Sequence, residues 1–267
     1  MAINLMLVTS DIENIKESQK AGVDRIFFDL EYINKKERQQ GRNTLILHND
    51  IEEIPEIRKV LNKSELLVRV NALNPDSKQE IDKAIEYGAD IIMLPMVMDA
   101  KDVKTLVDYV GGRANVMPMI ETAQALARID DILDVKGIDE IYIGLNDLHI
   151  SMGLTFMFEL LSGGLVEYAA EKIKKAGIKF GFGGMAKIGE GSLPAEAILA
   201  EHYRLSSNSV ILSRTFRNEV GDNKEKVDLK KEIRKIREFE RKISLWSETE
   251  FEENRLFVKK KVKEIKG

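Results

Sequence analysis

The fold class this sequence predicts is α/β: a (β/α)8 TIM barrel with a C-terminal helical extension. Short apolar runs alternate with amphipathic stretches about eight times. Strands separated by helices run parallel, because a parallel pair needs a long crossover, and eight such units close into a barrel. The length of 267 residues suits one barrel of roughly 250 residues. No G-x-G-x-x-G follows the first run, which weakens the competing open, doubly wound sheet.

Each element has a local reason. Residues 3–8 form the first apolar run, and residues 11–22 form a helix with Ile12 and Ile15 on one side and Gly22 as its stop. Residues 25–30 (RIFFDL) and 66–70 (LLVRV) are the second and third strands. A helix over 77–88 follows, with Ser77 as N-cap, Ile81, Ala84 and Ile85 at helical spacing, and Gly88 as C-cap. Residues 91–96 (IIMLPM) are the fourth strand, and Val103, Leu106, Val107 and Val110 mark the next helix face. Residues 115–120, 140–145, 179–185 and 209–216 complete the eight. A helix over 194–205 starts on Pro194, which a first turn tolerates. Met93, Met96, Met117 and Met119 fall at strand spacing and are expected in the core.

Two segments break the rhythm. Residues 32–63 are long and polar, contain KKERQQGRN, and are expected to be a loop followed by a helix over 51–61. An insertion after a barrel strand lies at the active-site face. Residues 223–267 are charged and helical, giving a barrel domain over 1–222 and a tail. Leu229, Ile233, Ile236 and Ile243 fall on one stripe of that tail, and Val258, Val262 and Ile265 on another. The tail is expected to pack on the barrel or, by a slight preference, on a neighbouring subunit of a homo-oligomer.

Hydrophobic residues make up 43% and charged residues 32% of the chain, so a sizeable core forms and disorder is not expected. The net charge of −4 lacks the basic footprint of a nucleic-acid surface. With no cysteine, thiolate chemistry and zinc–sulfur sites are excluded. No apolar run approaches the roughly 18 residues that span a bilayer, and the start has no basic n-region, so a cytoplasmic protein is expected.

Barrel enzymes place their chemistry at the C-terminal ends of strands. Here those ends carry Asp29-Leu30-Glu31, then Arg69 and Asn71, then Glu121, then Asn146-Asp147-Leu148-His149. Glu121 and Asp147 each follow an apolar strand. Two carboxylates at one mouth repel unless a cation or a proton lies between them. Oxygen ligands suit a hard ion such as Mg²⁺ or Mn²⁺. The alternative is that Glu121 caps the following helix and Asp147 a turn. Arg69 inside LLVRV is costly unless paired, either with substrate oxygens or with Asp29 or Glu31. Backbone amides near Asn146 and Asp147 suit a substrate carboxylate. Gly183 and Gly184 permit close approach at the mouth, or a tight barrel bend. His149 is a candidate acid/base, equally a hydrogen-bonded loop residue; His48 is expected to be a loop residue and His202 structural. Lys187 is not expected to be buried enough for Schiff-base chemistry.

The ordered set DLE, RVN, MLPMV, MIET and IGLNDLHISMG, within roughly residues 3–217, resembles the HpcH/HpaI aldolase and citrate lyase β-subunit family. The resemblance implies a divalent-metal-dependent carbon–carbon lyase. Glu121 and Asp147 match the metal ligands, Arg69 the group that stabilises the enolate oxygen, and the amides of Asn146 and Asp147 the place where a pyruvate carboxylate docks. It implies as partners a small 2-oxo acid and an aldehyde, joined or separated as a 4-hydroxy-2-oxo acid. An acyl-CoA ester of the citryl or malyl type is the alternative substrate, and a phosphoenolpyruvate-using transferase or a non-catalytic metabolite-binding barrel are the further alternatives. Two positions depart from the aldolase branch: no histidine stands close behind the strand-two acid, and Met119 replaces a glutamine two residues before the metal-binding glutamate.

Overall fold

The eight apolar runs form β1 (Asn4–Val8), β2 (Arg25–Asp29), β3 (Glu65–Arg69), β4 (Ile91–Leu94), β5 (Asn115–Ile120), β6 (Glu140–Ile143), β7 (Lys179–Met185) and β8 (Ser209–Leu212). In the computed structural model, which describes residues 2–33, 49–217 and 227–266, they pair in sequence order and β8 closes on β1. All pairs are parallel. The KKERQQGRN run and His48 lie outside the described residues.

Around the barrel run α1 (Ile12–Ala21), α2 (Ile54–Val60), α3 (Ser77–Glu86), α4 (Ala100–Val110), α5 (Ala123–Ala127), α6 (Ile129–Leu133), α7 (Leu145–Ser151), α8 (Glu159–Ser162), α9 (Leu165–Lys175) and α10 (Ala195–Leu205). Alternation along each strand produces two cores. Outward residues such as Ile26, Phe28, Val68 and Ile141 meet helix residues such as Ile15, Ile81 and Leu106. Inward residues, among them Met6, Phe27, Leu67, Met93, Met117 and Tyr142, fill the barrel itself.

The N-terminal end of the barrel is plugged by polar groups. Arg25, at the start of β2, places Nη1 2.8 Å from Glu140 of β6 and Nε 2.8 Å from Glu65 of β3. The Ser209 hydroxyl donates to the other Glu140 oxygen. A buried ion pair is tolerated when its remaining donors and acceptors are matched in this way.

Several boundaries differ from the sequence expectation. β4 stops at Leu94, before Pro95, and Met96 turns into the left-handed region at φ 55. Met96 therefore leaves the strand, whereas Met93, Met117 and Met119 stay inside the barrel. β6 ends two residues early because α7 begins at Leu145. β8 ends at Leu212 and runs into a 3-10 turn over Arg214–Phe216. Another such turn, Ile51–Glu53, precedes α2. α3 is preceded by Asp76, and the Ser77 hydroxyl accepts instead from the Asn74 amide at 2.8 Å. Pro194 occupies the N-cap of α10 rather than its first turn. Asp11 and Gly22 do bracket α1: the Asp11 carboxylate accepts from Asn14 N at 2.7 Å, and Gly22 adopts φ 95.

The tail forms α11 (Leu229–Ile243) and α12 (Glu248–Lys266). Leu229, Ile233, Ile236 and Ile243 are buried in the outer core of their own chain. Glu240 accepts from Ile3 N at 2.8 Å, and Arg237 pairs with Asp24 at 2.7 Å, so α11 is tied to the start of β1. On α12, Val258 and Val262 are buried while Ile265 is exposed. Asn254 donates to Ala197 O and to Glu201 on α10. No helix among the described residues is long and apolar enough to cross a membrane.

Candidate active site

The end of β3 delivers Arg69 to the barrel mouth. Its guanidinium grips Asp29, at the end of β2, with two parallel bonds: Nε to Oδ1 at 2.9 Å and Nη2 to Oδ2 at 2.8 Å. Nη2 also lies 3.2 Å from Glu31. The group stacks over the Phe27 ring at 5.2 Å. Burial alone would lower its pKa, but Asp29 and Glu31 outweigh burial and hold it charged. Both of the structural partners expected from sequence are therefore present. Nη1 faces the thioether of Met119 at 3.9 Å, a weak acceptor, so this corner of the guanidinium keeps donor capacity for a substrate oxygen.

Glu121 follows β5 directly and is 2% exposed. It does not cap the next helix. Thr122 does, its hydroxyl accepting from Ala125 N at 3.0 Å. Glu121 instead points back to the mouth, where Oε1 accepts from the Met96 amide at 2.8 Å. The left-handed turn at Met96, uncommon for a residue with a side chain, aims that amide. On the other side stands Gly144. A β-carbon there would fall 2.5 Å from Glu121 Oε2 and 2.8 Å from its Cβ. Glu121 is thus held between a strained backbone donor and a missing side chain. Burial, and then the negative charges of Asp147 and Glu31, push its carboxyl up to about 8, against the opposing pull of Arg69 and the Met96 amide.

Asn146 and Asp147 lie in the first turn of α7 and are partly exposed. Asp147 therefore projects from a helix start rather than from a strand end. His149, also on α7, is 4% exposed, and its Nδ1 lies 3.1 Å from Leu145 O of the same helix. Two residues along a helix is a turn of about 200°, so His149 and Asp147 leave opposite sides of α7. Gly183 and Gly184 lie where the β7–β8 register shifts. Gly183 has φ 58, and its carbonyl accepts from the Tyr142 hydroxyl, which in turn accepts from Ile211 N at 3.0 Å. This bulge supports the bend at Gly183; Gly184 remains partly exposed. Lys187 pairs with Glu190 at 3.1 Å. Asn71 accepts from the amides of Tyr32 and Ile33, and Asn49 donates to Asp29 O. Both described ends of the insertion after β2 are thereby fixed at the mouth.

The donor set fits a hard cation. Glu121, Asp147 and Glu31 bring only oxygen, and their mutual repulsion is what a divalent ion relieves. Among the described residues no cluster of three or more potential ligands is preassembled. Sequence inspection singled out Arg69, Glu121 and Asp147 because each is charged beside an apolar strand, and the fold brings all three to the mouth. It missed Met96 and Gly144, which act through a backbone amide and through the lack of a side chain.

An eight-stranded barrel with acids and an arginine converging at the C-terminal mouth has the layout of a barrel enzyme. The chain belongs to the HpcH/HpaI aldolase/citrate lyase family, whose model matches residues 4–201. It is 38% identical over 79 residues to a hydroxypyruvate/pyruvate aldolase of Rhizorhabdus wittichii, covering 27% of this chain and 32% of that protein. It is 31% identical over 97 residues to a pyruvate kinase of Methylorubrum extorquens, covering 36% of this chain and 20% of that protein. The matched stretches thus span at most about a third of these curated relatives. In fold, the chain is similar to a family protein of Burkholderia cenocepacia, with TM-score 0.62, 16% identity, and coverage of 91% of this chain and 95% of that one.

Proposed function

We propose that this chain is a divalent-metal-dependent carbon–carbon lyase that forms or cleaves a 4-hydroxy-2-oxo acid through the enolate of pyruvate or a similar small 2-oxo acid. The observation that carries this is Glu121, buried at the mouth among like charges beside Arg69. Glu121 and Asp147 would hold Mg²⁺ or Mn²⁺. When bound, such an ion polarises the 2-oxo group and lowers the cost of enolate formation.

The other steps belong to the chain. Asn146 and Asp147, through the amides of the first turn of α7, receive the substrate carboxylate. Arg69 donates from Nη1 to the oxygen on which negative charge develops, and Asp29 keeps the guanidinium in place. Met119, in the position flanking Nη1, leaves that donor unclaimed by a stronger acceptor. A water at the mouth moves the proton, since His149 leaves the opposite side of α7 from Asp147.

The test is exchange of pyruvate methyl protons in D₂O with Mg²⁺, with Mn²⁺ and with chelator. Metal-dependent exchange that Glu121→Ala and Asp147→Ala each abolish is the expected result, with His149→Gln keeping most of the rate. No exchange with either ion, or full activity in both alanine variants, overturns the proposal. Saturable binding of an acyl-CoA thioester in that event would select the ester lyase instead.

A further inference from the structure

We propose that Glu80, on the flank of the barrel, is a positioning residue for the mouth: through Asn71 it sets where Glu31 stands beside Arg69. This rests on the function proposed above. β2 ends at Asp29, and Leu30 donates the next bond, to Arg69 O of β3, so Glu31 lies past the end of the strand. It is nevertheless buried, with its carboxylate 3.2 Å from Arg69 Nη2, and its charge bears on Glu121. Two anchors hold it. Its own N–H donates to Asp29 Oδ1 at 3.2 Å, an oxygen that Arg69 Nε already engages at 2.9 Å. The next two amides, of Tyr32 and Ile33, donate to Asn71 Oδ1 at 3.0 and 3.1 Å.

A buried carboxamide turns its oxygen one way only if an acceptor meets its NH₂ on the other side. Asn71 is 3% exposed, and Glu80 of α3 supplies that acceptor. Asn71 Nδ2 donates to Glu80 Oε1 at 2.7 Å, and Asn71 N donates to Oε2 at 3.1 Å. Both carboxylate oxygens thus engage one residue. An acid near a helix start is ordinarily accounted for by the dipole and by solvent. Glu80 is instead turned inward, where burial raises its carboxyl against the pull of the two Asn71 bonds. The dipole gives no reason for that placement. Fixing the carboxamide does: with Glu80 on its NH₂ side, Asn71 presents its oxygen to the segment that follows Glu31. The chain of contacts therefore runs from α3 through Asn71 and the Tyr32 and Ile33 amides to Glu31, and from Glu31 to Arg69.

The contact can be rewired at constant net charge. Glu80→Gln turns one acceptor into a donor against Asn71, and Asn71→Asp sets two carboxylates against each other. In Asn71→Asp/Glu80→Gln the new carboxylate accepts from the new carboxamide and from the Tyr32 and Ile33 amides, so the donors are matched again. Hydrogen exchange of those two amides, read by mass spectrometry on the metal-free full chain, should be about tenfold faster in each single variant and within about twofold of the parent in the double. Mn²⁺ affinity and the rate of pyruvate methyl exchange should each fall about tenfold in the single variants and recover in the double, which a loss of stability alone would not produce. Amide exchange unchanged in both single variants, faster amide exchange with Mn²⁺ affinity and pyruvate exchange intact, or a double variant as impaired as the singles would each overturn the proposal. A parent without metal-dependent pyruvate exchange overturns the reading of function instead, and the amide exchange then decides by itself whether Glu80 holds this segment.

Discussion

Glu121 is placed less by what it bonds than by what is absent beside it. The only side chain that could stand at position 144 without touching the carboxylate is a hydrogen, since a β-carbon would lie 2.5 Å from Oε2. Gly144 itself has φ −81, a conformation open to any residue, so alanine there strains the site and not the backbone. Gly144→Ala should therefore leave the fold and far-ultraviolet spectrum intact. It should slow metal-dependent proton exchange by about 100-fold, the scale of a misplacement of about an ångström. Mn²⁺ affinity measured on the same variant should fall in parallel. An unimpaired variant would mean that Glu121 works from a position other than the one it holds here. Arg69 sets a second requirement at this scale. Its two bonds to Asp29 match a guanidinium fork, so lysine would keep the charge and lose the orientation.

Among the elements, α10 carries the least expected chemistry. His202 is buried, stacks on Phe182 with ring centroids 3.7 Å apart, and shares Nδ1 with the Ser207 hydroxyl at 2.8 Å. Its Nε2 has no hydrogen-bond partner among the described residues. Burial lowers its pKa to about 3. The unfolded chain binds a proton near pH 6.5 that the folded chain refuses. Stability from this residue is thus complete above about 6.5 and is lost as pH falls towards 3, with a limiting slope of about 1.4 kcal/mol per pH unit. Denaturant titrations between pH 6.5 and 5 should show the parent losing more stability as pH falls than His202→Gln does; Glu121, raised in the folded chain, gives a slope of opposite sign in both proteins, so the difference between the two lines carries the His202 contribution. Equal slopes would place the acid sensitivity elsewhere. This same element shows where sequence inspection succeeds and stops. That the helix exists follows from its apolar spacing, and a histidine on its strand side was expected to be structural. The start at Ala195 rather than Pro194 depends on backbone angles that no side-chain pattern encodes. Glu121 and Thr122 make the same point: both residue types suit a helix start, and one step along the chain decides which of them caps and which is left for the mouth. Arg69 with Asp29 was legible because a charge inside an apolar strand demands a partner on the next one. Met96 was hidden because its contribution is an amide aimed by a turn.

At the scale of the whole molecule, the polar plug of Arg25, Glu65, Glu140 and Ser209 joins strands on opposite sides of the barrel. Removing one partner leaves the other charge buried, so Glu140→Ala should destabilise the barrel by about 3–5 kcal/mol. Arg25→Met combined with Glu140→Leu should recover much of that loss, because no charge is then stranded. Equilibrium denaturation of the two variants against the parent measures both effects, and a single substitution that costs nothing would show the plug to be dispensable. Among the described residues, the layers above it are filled by Met6, Phe27, Leu67, Met93 and Met117, which close the barrel from below. The barrel is therefore a vessel with one door. Whatever reaches Glu121 arrives and departs by the same route, so in a cleavage the fragment nearer the opening has to leave first. The fragment held deeper should then compete with incoming substrate, and the fragment that leaves first should not.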